Sequence, residues 1–105
     1  MKPAFAQEVY ELVCSIPKGK VSTYKEIAKA IGKPKAVRAV GQVLKANRHP
    51  DKIPCYRVVR SDGLVGGYCG SDTKNISRKE RLLKRDGIKV VDGKVDLDRY
   101  LYRFR

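Results

Sequence analysis

Two short amphipathic stretches either side of a glycine–proline break do most to restrict the folds open to this chain. Thr23, with Glu26 three residues on, forms a capping-box signature, and Ile27, Ala28 and Ile31 follow at helical spacing. Gly32-Lys33-Pro34 then interrupts the helix, because proline has no amide to donate and glycine accepts a left-handed turn. A further helix is expected over residues 35–46, with Val37, Val40, Val43 and Leu44 for the core and Arg38, Gln42 and Lys45 facing outward. Two short helices joined by so tight a turn have the layout of a helix-turn-helix.

The flanking segments supply the rest of one domain. Phe5, Val9, Leu12, Val13 and Ile16 mark one face of a first helix, ended by Pro17-Lys18-Gly19-Lys20. Residues 47–54 read as a polar connection, and residues 57–65 as two short β-like pieces around the turn Ser61-Asp62-Gly63. A glycine-rich loop follows over residues 66–70. The pair Ser77 and Glu80 predicts a capping box opening a helix over residues 77–85, closed by Gly87. Residues 88–91 and 94–97 flank Asp92-Gly93, the signature of a type I′ hairpin. No repeat or linker interrupts the chain, and 105 residues suffice for one modest core. The expected fold class is mainly α with small β elements: a winged-helix-like helix-turn-helix domain with a C-terminal β-hairpin, spanning 1–105.

Charge narrows the partner. Lys and Arg number 24 against 11 Asp and Glu, for a formal charge of +13 distributed along the chain. A polyanion, nucleic acid above all, is the first expectation; a solvated lysine-rich surface is the bland alternative. No apolar run approaches membrane-spanning length, and the N-terminus lacks a signal peptide, so a cytoplasmic protein without membrane attachment is expected. Cys14, Cys55 and Cys69 are odd in number and widely spaced, with His49 the sole histidine. Neither a disulfide framework nor a zinc site fits that spacing. Each thiol is then a small buried hydrophobe or a reactive group, and burial is the commoner fate.

The run "IPCYRVV", followed by "SDGLVGGYCG", resembles the Pro-Cys-His-Arg-Val signature and active-site loop of the O6-alkylguanine-DNA alkyltransferases. The run "GKVSTYKEIAKAIGKPKAVRAVGQVLKAN" is similar to that family's helix-turn-helix with its closing asparagine. The resemblance extends from Phe5 to about Gly87 and implies a DNA-binding, C-terminal-type domain. It implies single-turnover repair in which Cys55 takes an alkyl group from O6 of a flipped guanine. The competing role is that of the alkyltransferase-like proteins, which bind the lesion and recruit other factors without transfer. Neither role requires a metal or organic cofactor, and both imply a monomer on duplex DNA containing O6-alkylguanine, docked through the minor groove.

Site residues follow from the same resemblance. Cys55 is the implied nucleophile, and Tyr56 and Asp86 stand where the family has its histidine and glutamate. Tyr24 matches the tyrosine donating to guanine N3, and Asn47 the hinge between recognition helix and cysteine loop. Arg38 matches the arginine that fills the vacated base stack. Ala36, Ala39 and Gly41 suit a helix against the minor-groove floor, and Gln42, Lys45 and Thr23 complete the DNA-binding set. The carbonyls of Cys55 and Val58 match acceptors for the exocyclic amine. Tyr68, Pro50, Gly66 and Cys69 line the implied alkyl pocket, Cys69 standing where a serine is usual.

Overall fold

The computed structural model describes residues 4–66 and 73–104. Helix α1 (Phe5–Ser15) buries Val9 and Val13, with Ile16 packed just beyond its end. Helix α2 (Tyr24–Ala30) begins where the Thr23 hydroxyl accepts from the Glu26 amide at 3.0 Å, satisfying one of the orphan donors of the first turn. Gly32, at φ +85°, turns the chain out of it, and the amide of Lys33 returns to the carbonyl of Ala28. Helix α3 (Val37–Lys45) buries Val40 and Leu44, and it packs on both α1 and α2. Each such aliphatic side chain stabilises the fold by roughly 1.5–3 kcal/mol. Val37 is a correction: as the first helical residue it lies at the rim, 37% exposed, not in the core.

Strand β1 (Ser22–Thr23) pairs in parallel with β2 (Val58–Val59), Ser22 opposite Val58 and Thr23 opposite Val59. On the other side of β1, the Val21 amide donates to the Tyr100 carbonyl and the Tyr102 amide donates to the Val21 carbonyl. The first β-like piece therefore joins β1, whereas its expected first residue, Arg57, belongs to a 3₁₀ turn, Cys55–Arg57. The second piece, Leu64 and Val65, is held by strands β3 (Val90–Val91) and β4 (Lys94–Val95). Val65 donates to the Gly93 carbonyl, and Val95 to the Gly63 carbonyl. Asp92 and Gly93 have φ of 52° and 73°, the two positive values that a type I′ turn demands.

Helix α4 (Thr73–Arg85) starts before Ser77, which corrects the capping-box reading: Ser77 is an exposed residue in mid-helix, where its amide already has a helical partner. The helix ends as expected at Gly87, φ +88°, with the Ile88 amide returning to the Leu83 carbonyl. A short helix α5 (Leu97–Tyr100), capped by Asp96, has no counterpart in the sequence reading, since four residues carry no periodicity. The architecture is mainly helical with small β elements, a helix-turn-helix followed by a hairpin. No helix among the described residues is long and apolar enough to cross a membrane.

Gly63 tests this joint between loop and hairpin. It has φ +89°, and a Cβ there would lie 2.7 Å from the Val95 carbonyl oxygen. We expect Gly63→Ala to cost about 2–3 kcal/mol, read as a melting temperature lowered by roughly 10–20 °C in a chain of this size.

Candidate functional site

Cys55 stands at the start of the 3₁₀ turn, 5% exposed. The preceding Pro54 has φ −77° and ψ 65°, and the Cys55 amide donates to the Ile53 carbonyl at 2.7 Å, so proline's fixed φ sets an inverse γ-turn before the thiol. Asn47, buried at the end of α3, donates from Nδ2 to that same Ile53 carbonyl at 3.0 Å and accepts the His49 amide at 2.9 Å. One side chain thus fastens the outward-facing helix to the backbone two residues before the cysteine. The Cys55 carbonyl accepts from the Val58 amide.

Tyr56 and Asp86 meet although thirty residues separate them. The phenol donates to Asp86 Oδ2 at 2.6 Å and accepts from Arg57 Nε at 3.2 Å. Arg57 Nε lies 3.5 Å from the same carboxylate oxygen, and its other arm donates to the Ile16 carbonyl at 2.9 Å. The Asp86 side chain is 1% exposed. Burial first, then the bond to Asp86, raises the Tyr56 pKa, while Arg57 opposes both. Tyr56 is therefore a neutral donor whose proton already has a destination. For it to accept one from a thiol, its own would have to pass to Asp86.

Tyr24, the first residue of α2, is pushed up to about 12, by burial first and by the charge of Cys55 second. It stays a protonated donor near neutrality. Because the folded value lies above the ordinary 10, the stability that the neutral phenol contributes is complete below pH 10 and is lost as pH rises through 12. We expect alkaline unfolding to steepen between those values, and less so in Tyr24→Phe, followed by circular dichroism beside tyrosinate absorbance.

Sequence reasoning missed two residues. Arg57 matches the signature arginine and opens an expected β-like piece but was given no site role. Lys79 is fully buried, its Nζ 5.8 Å from the centroid of the Tyr24 ring. The signal was present: Ile76, Lys79 and Leu83 recur at i, i+3 and i+7 along α4, which sets Lys79 on the inward stripe.

Arg38, Ala39, Gln42 and Lys45 are exposed on α3, with Gly41 beside them and open space where its Cβ would be. Ala36 is the half-buried N-cap. Thr23 is buried with its hydroxyl committed to Glu26, Val58 is buried in β2, and Pro50 is half-buried. Gly66 has φ +73°. Tyr68 and Cys69 lie outside the described residues. The expectation that Cys14 is a packing residue is corrected: it is exposed on α1, its Sγ 3.7 Å from the Lys52 carbonyl. His49 is exposed. Among the described residues, no group of three His, Cys, Asp or Glu side chains could hold a metal ion.

Residues 4–88 match the family model described as 6-O-methylguanine DNA methyltransferase, DNA binding domain. A bifunctional methyltransferase/endonuclease of Picrophilus torridus is 44% identical over 94 residues, covering 90% of this chain and 30% of that protein. A DNA base-flipping protein of Escherichia coli is 36% identical over 102 residues, covering 96% of this chain and 76% of that protein. Among solved structures, S. pombe Atl1 in complex with damaged DNA containing O6-carboxymethylguanine superposes with a TM-score of 0.87 at 32% identity, covering 99% of this chain and 100% of that one. The chain thus spans under a third of the Picrophilus relative and the full length of Atl1.

Proposed function

Because the chain belongs to the 6-O-methylguanine DNA methyltransferase family, we propose that it repairs DNA directly, moving an alkyl group from O6 of guanine to the sulfur of Cys55. The supporting observation is a thiol placed by a proline-set turn, fastened by Asn47 to α3 and lying within the electrostatic reach of a Tyr24 that stays protonated near neutrality.

In this reading α3 docks in the minor groove of a duplex, with Ala36, Ala39 and Gly41 allowing close approach and Gln42 and Lys45 holding the backbone, while Thr23, buried with its hydroxyl bonded to the Glu26 amide, takes no part. The target nucleotide rotates out at a cost of roughly a few kcal/mol, and Arg38 occupies its place in the stack. The charge of +13 supplies sequence-independent attraction to phosphate, so binding weakens as salt rises. In the pocket, backed by Val58, Pro50 and Gly66, the thiol releases its proton to water and the sulfur attacks the alkyl carbon. An S–C bond forms as the C–O6 bond breaks, and the electron pair passes into the purine. Tyr24 donates to N3, so the charge developing on the leaving base is met by a hydrogen bond.

A second reading, lesion binding without transfer, is favoured by one specific observation: the Tyr56 hydroxyl points its proton at Asp86 and is a poorer base than imidazole. Incubation with duplex containing O6-methylguanine, followed by intact-mass and peptide mass spectrometry, separates the two. Gain of one CH2 unit on the Cys55 peptide is the expected result. Unchanged mass with lesion-dependent binding supports the second reading, and unchanged mass without lesion preference sinks both.

A further inference from the structure

We propose that the buried ammonium of Lys79 is the cation that favours the ionised form of Cys55, in a chain whose residue after the cysteine is committed to Asp86. The inference deepens the transfer reading and rests on it for its functional meaning. It concerns a residue acting through Cys55 and Tyr24, not one that touches the substrate.

A lysine is costly to bury, and straight-chain cations normally carry their charge out to water. Lys79 does not: it lies on the inward stripe of α4, fully covered. Helix α4 packs against the 3₁₀ turn that carries Cys55. Lys79 and Cys55 also share a neighbour, since the ammonium stands over the Tyr24 ring and the same phenol feels the charge of Cys55. A cation over the ring face is attracted by the π electrons. A positive charge on an element packed against the turn, in a medium poorer than water, stabilises a thiolate there.

The other groups brought toward this centre do not take that role. Tyr56 donates to Asp86, and Arg57 is spent on Asp86, Tyr56 and the Ile16 carbonyl. Asp86, just past the end of α4, is seven residues on from Lys79, roughly 10 Å by helical rise. Glu80 reaches the other way, its Oε1 3.9 Å from where a Cβ on Gly93 would lie. Tyr24 itself stays neutral.

The full chain is compared with Lys79→Met, which keeps the length of the side chain without its charge, and with Lys79→Arg, which keeps the charge. Removing one buried charge from its partners costs stability, so folding of the Met variant is checked by circular dichroism, and Lys79→Gln, uncharged but still polar, serves as a second neutral variant. Iodoacetamide labelling of Cys55 is followed against pH by peptide mass spectrometry, with exposed Cys14 as the internal reference. In Lys79→Met the Cys55 midpoint should rise by about one pH unit, leaving about tenfold less thiolate at neutral pH. Lys79→Arg should keep the wild-type midpoint, and Cys14 should not move in any variant. Single-turnover methyl transfer should slow by a similar factor in Lys79→Met, with duplex affinity unchanged. A wild-type midpoint in Lys79→Met overturns the inference, and equal shifts in Met and Arg variants assign Lys79 to packing alone. If the wild type takes no methyl group yet the midpoint shifts as described, the transfer reading fails and the electrostatic role stands.

Discussion

Cys55→Ala is expected to bind duplex containing O6-methylguanine as the wild type does and to take no methyl group from it. The two halves of that result come from different parts of the molecule. Attraction and docking belong to the charged surface and to α3, whose exposed residues lie on the far side of the Asn47 fastening from the thiol. Bond making belongs to one sulfur, because no oxygen nucleophile at neutral pH replaces a thiolate. Removing a small, almost wholly buried group costs about 1 kcal/mol or less of stability, so the fold persists. Intact-mass measurement gives the first half and fluorescence anisotropy the second. Methyl uptake by Cys55→Ala would move the acceptor to another residue, with exposed Cys14 the first to map.

The largest expected effect on stability is that of Arg57→Met. Arg57 is the cation nearest the Asp86 carboxylate, at 3.5 Å, and it also satisfies the Ile16 carbonyl at the end of α1. Its loss leaves a carboxylate that is 1% exposed with Tyr56 as its one hydrogen-bond donor among the described residues and, as its remaining cation, only the exposed Arg85, whose Nε lies 3.9 Å from Oδ1. Breaking one side of a buried pair costs about 3–5 kcal/mol, a large part of the stability of a domain this size. The midpoint of urea unfolding should fall accordingly. Adding Asp86→Asn should return part of the loss, because the stranded charge is then gone. A loss below about 1 kcal/mol would place the pair with ordinary surface bridges.

What could be read in advance depended on how local its cause was. The turn at Asp92-Gly93 was legible because two adjacent residues must both take positive φ, and few pairs do so cheaply. The helix pair around Gly32 was legible because periodicity and a breaker act within a few residues. Ser77 and Glu80 misled for the complementary reason: the motif has meaning only at a helix start, and the start lies four residues earlier at Thr73. The pairing of Ser22 with Val58 was not legible, since two-residue strands carry no register of their own.

The chemistry divides in the same way. Cys55, Tyr24 and Asn47 came from family resemblance; the structure adds that Asn47 is bonded to the loop before Cys55 and that Tyr24 stays protonated near neutrality. That Tyr56 and Asp86 are bonded to each other, with Arg57 between them, depends on tertiary packing that no spacing announces. Lys79 was overlooked because a lysine is read as solvated by default, although its place among Ile76 and Leu83 pointed inward.

The backbone of Val21 is held by residues that a ribosome makes some eighty positions later. A nascent chain therefore passes through a long interval in which its helices can associate but the edge of β1 is open, and non-local closure of this kind is slow. Translation interrupted before Tyr100 would release a basic, partly folded polypeptide whose unpaired strand can seek another chain. Closure of this edge thus waits on the synthesis of residues 100–102.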